Sequence, residues 1–148
     1  GGKTFTVTLE DNSSAQVLKE HLAKRNITVE MNDYGDMEKV GSLGISLPRN
    51  DRQTTTGPGD IILYLGNNLV IYYDTNLWNF TRIGKVDGVS TRKEMLDLLG
   101  GTVTGIIPAN CFIGYEKEEV YGRRRYNRVH LGGGGHWHIC LSPSTVIR

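Results

Sequence analysis

Four groups of residues have types and spacings that could do chemistry. The first is Arg82, within Phe80-Thr81-Arg82-Ile83. A guanidinium stays charged and presents a planar fork of donors, so at the mouth of a binding face it would grip a carboxylate or a peptide carbonyl. On a regular strand Arg82 shares a side with Gly84 and Val86, while Thr81, Ile83 and Lys85 take the other. The plainer use is a surface arginine paired with Asp74 or Asp87, a contact worth little. The second group is aromatic: Tyr64, Tyr72, Tyr73, Trp78 and Phe80. Tyr72 and Tyr73 are adjacent, so alternation predicts one in the core and one outside. An exposed tyrosine beside Trp78, in a following loop, would stack on a peptide or planar ligand. Core packing is the competing use, because aromatic side chains serve burial first. Together Arg82, Tyr64, Tyr73, Trp78 and Phe80 make the candidate ligand-binding face.

The other two groups lie near the C-terminus. In His136-Trp137-His138-Ile139-Cys140 an extended backbone projects His136, His138 and Cys140 from one face. Imidazole and thiolate are ordinary zinc ligands, and His130 or Cys111 could complete the set. The spacing lacks a Cys-x-x-Cys knuckle, and a strand with Trp137 and Ile139 on its apolar face explains it equally. Arg123, Arg124, Arg125 and Arg128 lie between Tyr121, Tyr126 and His130. Arginines could hold phosphates while bases stack on the tyrosines, with His130 or His136 as general acid and base of a nuclease. A solvated basic strand balanced by Glu116, Glu118 and Glu119 is the plain alternative. The run Gly132–Gly135 lacks the Gly-Lys-Ser/Thr ending of a phosphate loop and reads as a turn or linker. No Gly-x-Ser-x-Gly elbow supports serine hydrolase chemistry.

The elements that must position these residues follow from composition and pattern. A chain of 148 residues with 38% hydrophobic and 22% charged residues can bury a core as one domain, or as one domain with an appendage. No apolar run is long enough for a membrane helix, and the opening Gly1-Gly2 reads as a processing remnant rather than a signal peptide. The expected protein is soluble, cytoplasmic or exported, with no membrane partner. Two cysteines, Cys111 and Cys140, are too few for a disulfide framework but allow one bridge, and a net charge of +1 excludes polyanion binding by bulk charge. Charge is uneven, however. Residues 1–108 carry 11 Lys and Arg against 13 Asp and Glu, whereas residues 109–148 carry 6 against 3. That shift places a boundary near Pro108.

Before the boundary the pattern is mostly β. Phe5, Val7 and Leu9 alternate with threonines, and Ile27, Val29 and Met31 repeat the alternation. Ile61–Leu65 and Leu69–Tyr73 flank Gly66-Asn67-Asn68, residues that tolerate positive φ, which predicts a hairpin. Arg82–Val86 and Thr102–Ile107 are further short strands, and Thr54–Asp60 reads as a loop with a tight turn. Ser13 with Gln16 reads as a capping box opening a helix that runs to about Arg25-Asn26, with Leu18 and Leu22 buried. Thr91 with Glu94 opens a second helix carrying Met95, Leu98 and Leu99 and stopped by Gly100-Gly101. Many short strands with two isolated helices predict a closed or nearly closed β-barrel with helices plugging its ends.

The segments Gly59–Tyr64, Leu69–Tyr73 and Trp78–Lys85, in that order and spacing, resemble the bacterial cyclophilin-like fold family. Its members are small proteins sometimes fused to flavodoxin-type domains. The opening strand, first helix and Leu-Leu-Gly-Gly helix end agree, and the resemblance covers residues 3 to 105 approximately. It implies a mainly β, cyclophilin-like closed barrel with two helices over residues 1–107, followed by a basic β-rich or irregular extension over 108–148. It implies no defined reaction. In prolyl isomerases of the cyclophilin type an arginine lies beside the proline nitrogen, and Phe80-Thr81-Arg82-Ile83 echoes their Phe-His-Arg-Val stretch. Here Thr81 replaces the histidine, the stretch comes after the central hairpin, and a Gln-Gly-Gly-Asp stretch is missing. The expected function is therefore a non-catalytic binding module with no cofactor, holding a peptide segment or small molecule at the aromatic and arginine-lined face. The alternatives are a weak peptidyl-prolyl cis-trans isomerase centred on Arg82, and a nucleic-acid-binding or nuclease module in the C-terminal extension.

Overall fold

The computed structural model describes residues 5–99 with their side chains, together with the backbone of strands at 103–107, 112–115 and 136–144. The order is β1 (Phe5–Leu9), α1 (Ser13–Leu22), β2 (Ile27–Tyr34), β3 (Glu38–Ser42), β4 (Arg52–Thr55), β5 (Asp60–Tyr64), β6 (Asn68–Tyr72), β7 (Leu77–Val86), α2 (Arg92–Leu99), β8 (Val103–Ile107), β9 (Phe112–Tyr115) and β10 (His136–Ser144). Strand neighbours run β1-β10-β8-β2-β3-β6-β5-β7, and β7 then pairs back onto β1. Every pairing is antiparallel, so the sheet curls round on itself into the mainly β, cyclophilin-like architecture with two helices. The short polar β4 hangs on β7, and β9 on β10. The position of Pro108 lies outside the described residues. Among those residues no helix is long and apolar enough to cross a membrane.

The interior is filled by alternate side chains of the curled sheet and by the helices. Val7, Val29, Leu63, Ile71 and Ile83 meet Leu18 and Leu22 of α1 and Met95 and Leu99 of α2. A second, smaller cluster lies on the other face: Ile62, Val70, Tyr72 and Phe80. This explains why β5 and β6 are continuous apolar runs rather than alternating ones, since strands covered on both sides have no polar face. It also corrects the expectation that one of Tyr72 and Tyr73 is exposed. Each points to an opposite face, and both are buried.

Local signals were kept or displaced for identifiable reasons. Thr91 and Glu94 form the expected cap of α2: the Glu94 amide donates to Thr91 Oγ1 at 3.2 Å and that hydroxyl donates to Glu94 at 2.9 Å. Asn12, not Ser13, caps α1. Its Oδ1 accepts from the Ala15 amide at 2.9 Å while its Nδ2 donates to the Arg82 carbonyl at 2.8 Å. An amide can do both at once, whereas a serine hydroxyl is too short to reach β7 as well. Ser13 accepts from Asn50 Nδ2 instead. The helix ends at Leu22, before Arg25, because the Lys24 amide turns to the His21 carbonyl in a tighter turn. β3 and β4 are strands not predicted from the sequence. β3 is five residues carrying two charges and a glycine, and β4 is a polar edge that takes in Thr54 and Thr55, where the sequence predicts a loop over 54–60.

The hairpin between β5 and β6 forms, with its strained positions shifted by one residue. Positive φ falls on Leu65 (54°) and Gly66 (77°), while Asn68 already pairs with Tyr64. A bulge between Ile61 and Ile62 breaks the register with β7, so that Ile61 faces Gly84 and Ile62 faces Arg82. Ile83 is the extra residue, and it sits in the main core together with Val86. Strict alternation, which grouped Arg82 with Val86, therefore fails at this point.

Gly84 marks where the sheet curls onto itself, facing Ile61 on one side and Leu9 on the other. A Cβ there would overlap the Thr8 carbonyl oxygen and stand 3.0 Å from Val7 Cγ1 and 3.2 Å from Leu9 Cα. Gly84→Ala is expected to destabilise the fold by about 1–3 kcal/mol, since backbone cannot step aside as a side chain does. Gly57→Ala, with nothing within 4 Å of the added carbon, is the matched control and should stay within about 0.5 kcal/mol. Urea denaturation of both reads the difference. Leu65→Asn, at an exposed left-handed position, should raise stability by roughly 0.5–1 kcal/mol in the same assay.

Candidate functional site

On the outer wall, antiparallel partners share a face, so side chains line up in rows across strands. One row is Tyr34–Glu38–Tyr72, from β2, β3 and β6. The next is Val40–Val70–Ile62–Arg82, ending on β7. A third places Asn68 beside Tyr64. Phe80 stands between the tyrosines, its ring 6.1 Å from Tyr64 at 71° and 5.8 Å from Tyr72 at 54°. Edge and tilted contacts of this kind contribute about 0.5–1.5 kcal/mol each beyond burial. The first row, the valines, Tyr64, Asn68 and Phe80 border a concavity of about 470 Å³, whose lining Asn76 and Trp78 complete.

The cavity is aromatic at its walls and polar at one spot on its floor. Glu38 is 8% exposed. Burial pushes its carboxyl up from the usual range, partly offset by a hydrogen bond with the Tyr72 hydroxyl. Tyr72 is itself held well above the ordinary phenol range by burial and by the adjacent carboxylate, and it accepts from Asn76 Nδ2 at 3.1 Å. Tyr34 and Trp78, 64% and 62% exposed, stand at the rim where a ligand would meet them.

Of the residues singled out from sequence, Tyr64, Trp78 and Phe80 come together in this cavity. Arg82 shares the wall but not the lining. Its guanidinium reaches Asp60 at 3.4 Å and the Thr55 carbonyl at 3.2 Å. Asp74 and Asp87, the partners expected for it, are engaged elsewhere. Arg92 takes Asp74 at 2.9 Å, and Thr6 and Thr8 of β1 donate to Asp87. Tyr73 points inward, its hydroxyl bonded to Asp33 and its ring covered by the Arg92 guanidinium 5.2 Å from the centroid. Glu38, Tyr34 and Asn76 were missed. The available signal was Met37-Glu38-Lys39-Val40, whose alternation sets Glu38 and Val40 on one face once β3 is read as a strand.

A family model described as the cyclophilin-like family matches residues 1–107. The chain belongs to the cyclophilin-like family. No curated protein and no solved structure gives a match. Within this cyclophilin-like wall the stretch that echoes the isomerases is divided among three environments. Phe80 lines the cavity, and Arg82 is tied to Asp60. Thr81 is buried, donating to Asp51 Oδ1 at 2.7 Å and accepting from the Asn50 amide at 2.7 Å. It pins the segment before β4 rather than facing solvent. Arg123, Arg124, Arg125 and Arg128 lie outside the described residues. The backbone of His136, His138 and Cys140 runs in β10, with His138 opposite Thr8 and Cys140 opposite Thr6, but their side chains lie outside the described set. Among the described residues no cluster of metal-ligating side chains occurs.

Glu38 links the site to stability. Its folded pKa lies above its unfolded value, so its stabilisation is complete when it is protonated, below the ordinary carboxyl range, and is lost as pH rises through the raised value. Glu38→Gln should therefore be more stable than the parent at about pH 7.5 and lose that advantage at about pH 4. Denaturant midpoints at the two pH values measure this, and equal differences at both would count against the buried carboxylate.

Proposed function

We propose that this cyclophilin-like protein is a non-catalytic binding module that holds a peptide segment or a small molecule in the outer-wall cavity. The observation that carries the reading is the cavity itself. Its volume of about 470 Å³ falls in the range of small-ligand sites, its walls are aromatic, and a few polar groups converge on its floor. Two exposed rings at the rim offer stacking area that contributes little to the core. The position of Arg82 also favours binding over isomerisation. A guanidinium shared between Asp60 and a backbone carbonyl has part of its donor fork already committed.

Two measurements test the reading. In a screen of neutral aromatic fragments and short peptides, binders should perturb the backbone amides of β3, β6 and β7, and Trp78→Ala should weaken them by about tenfold, on the order of 1.4 kcal/mol. Trp78 is exposed, so the variant should keep the parent's stability. In a proline cis–trans assay, where the uncatalysed process takes roughly tens to hundreds of seconds, the protein should leave the rate unchanged. Acceleration that disappears in Arg82→Ala would replace the binding reading with the isomerase one.

A further inference from the structure

We propose that the group received by the outer-wall cavity is an organic ammonium cation. The inference rests on the binding reading above and names the chemistry that the site selects. Among the described residues its lining contains one carboxylic acid, Glu38, and no Lys, Arg or His. Glu38 as a residue is more than nine-tenths buried. Around it stand Tyr34 and Tyr72, its cross-strand neighbours on either side, with Phe80, Tyr64 and Trp78 completing the enclosure. Aromatic faces carry negative quadrupole potential and attract cations, most strongly where water is displaced. A neutral ligand offers the buried carboxylate at most a hydrogen-bond donor and leaves its charge unbalanced, and an anion would be repelled by it. A compact cation with an apolar shell fits both features, because its methyl groups pack on the rings while its charge answers the carboxylate. The nearby cations do not compete for the cavity. Arg82 is directed at Asp60, Lys39 lies on the opposite face at 2.8 Å from Asp33, and Arg52, opposite Phe80 on β4, is exposed and outside the lining.

The same chemistry occurs on a free quaternary ammonium and on the alkylated side chain of a peptide lysine, and the experiment separates the two sources. The probes are choline, its neutral carbon isostere 3,3-dimethylbutan-1-ol, and a five-residue peptide with a central trimethyllysine. Each is titrated into the full chain while the indole N–H resonance of Trp78 is followed, assigned by its loss in Trp78→Phe. Choline should give a saturable shift and the isostere should bind at least about tenfold more weakly. Glu38→Gln should weaken choline by at least about fivefold and leave the isostere unchanged. A further gain of about tenfold or more for the peptide assigns the cation to a protein side chain, and its absence to a free metabolite. Equal binding of choline and isostere, or choline binding indifferent to Glu38→Gln, overturns the cation inference while the cavity remains a neutral binding site. Silence of Trp78 toward every probe overturns it too. If the neutral fragments also leave this wall untouched, the binding reading falls with it.

Discussion

The contact on which the architecture depends is the seam between β1 and β7. There β7 pairs with β5 along one edge and β1 along the other, and Gly84 lies between them. Any side chain at that point would collide with the Thr8 carbonyl. The seam is clipped beyond its ladder bonds. Thr6 and Thr8 donate to both oxygens of Asp87, the Asp87 amide donates to the Thr6 carbonyl at 2.9 Å, and the Glu10 amide donates to the Ile83 carbonyl at 2.8 Å. Pairing of this kind removes exposed edges that would otherwise invite association. It also brings α1 over one end of the interior, since Asn12 ties the start of the helix to the Arg82 carbonyl.

The bulge beside that seam decides which residues form the cavity. Without an extra residue at Ile83, the alternation of β7 would stay continuous and could not put Ile83 and Val86 on the core side together. With it, the strand keeps both residues in the main core while Phe80 and Arg82 stay outside. The wall formed by β3, β6, β5 and β7 therefore has an inner face that is mostly apolar apart from Lys39 and Thr81, and an outer face that is apolar at Ile62 and Val70 but polar at Glu38 and Asn68. That mixed outer face lines the cavity.

This division explains how much was legible in the sequence. The hairpin, the second helix cap and the family resemblance rest on local spacing, and local spacing survives folding. The identity of the α1 cap depended on a contact 70 residues away, and the facing of Arg82 relative to Val86 on a bulge in β7 that only its pairing with β5 defines. Neither is written in a window of adjacent residues. Tyr64, Trp78 and Phe80 were visible because aromatic residues crowd one stretch. Glu38 was hidden because its strand is short and charged, and a lone glutamate beside a lysine reads as surface. Alternation predicts that Tyr72 and Tyr73 face opposite sides, and they do, but it does not say which is outward: Tyr72 lines the cavity and Tyr73, placed on the binding face from sequence, lies in the main core.

Glu38 is also where the local rules conflict most. A carboxylate facing a mostly aromatic enclosure raises its own pKa and withholds stability when ionised, and glutamine at the same place could keep a hydrogen bond with Tyr72 without that cost. Lys39, the next residue, is as buried, but its Asp33 partner stands 2.8 Å away on the inner side, so its charge is answered within the fold. Glu38 has a phenol for company rather than a cation. Positions at which a sequence accepts such a cost next to a cavity are those where binding chemistry is expected, because a charge left only partly compensated in the free protein is available to be compensated by a ligand. The pairing of a structurally satisfied lysine with a structurally expensive glutamate on adjacent residues of β3 separates the face that packs into the main core from the face that borders the cavity.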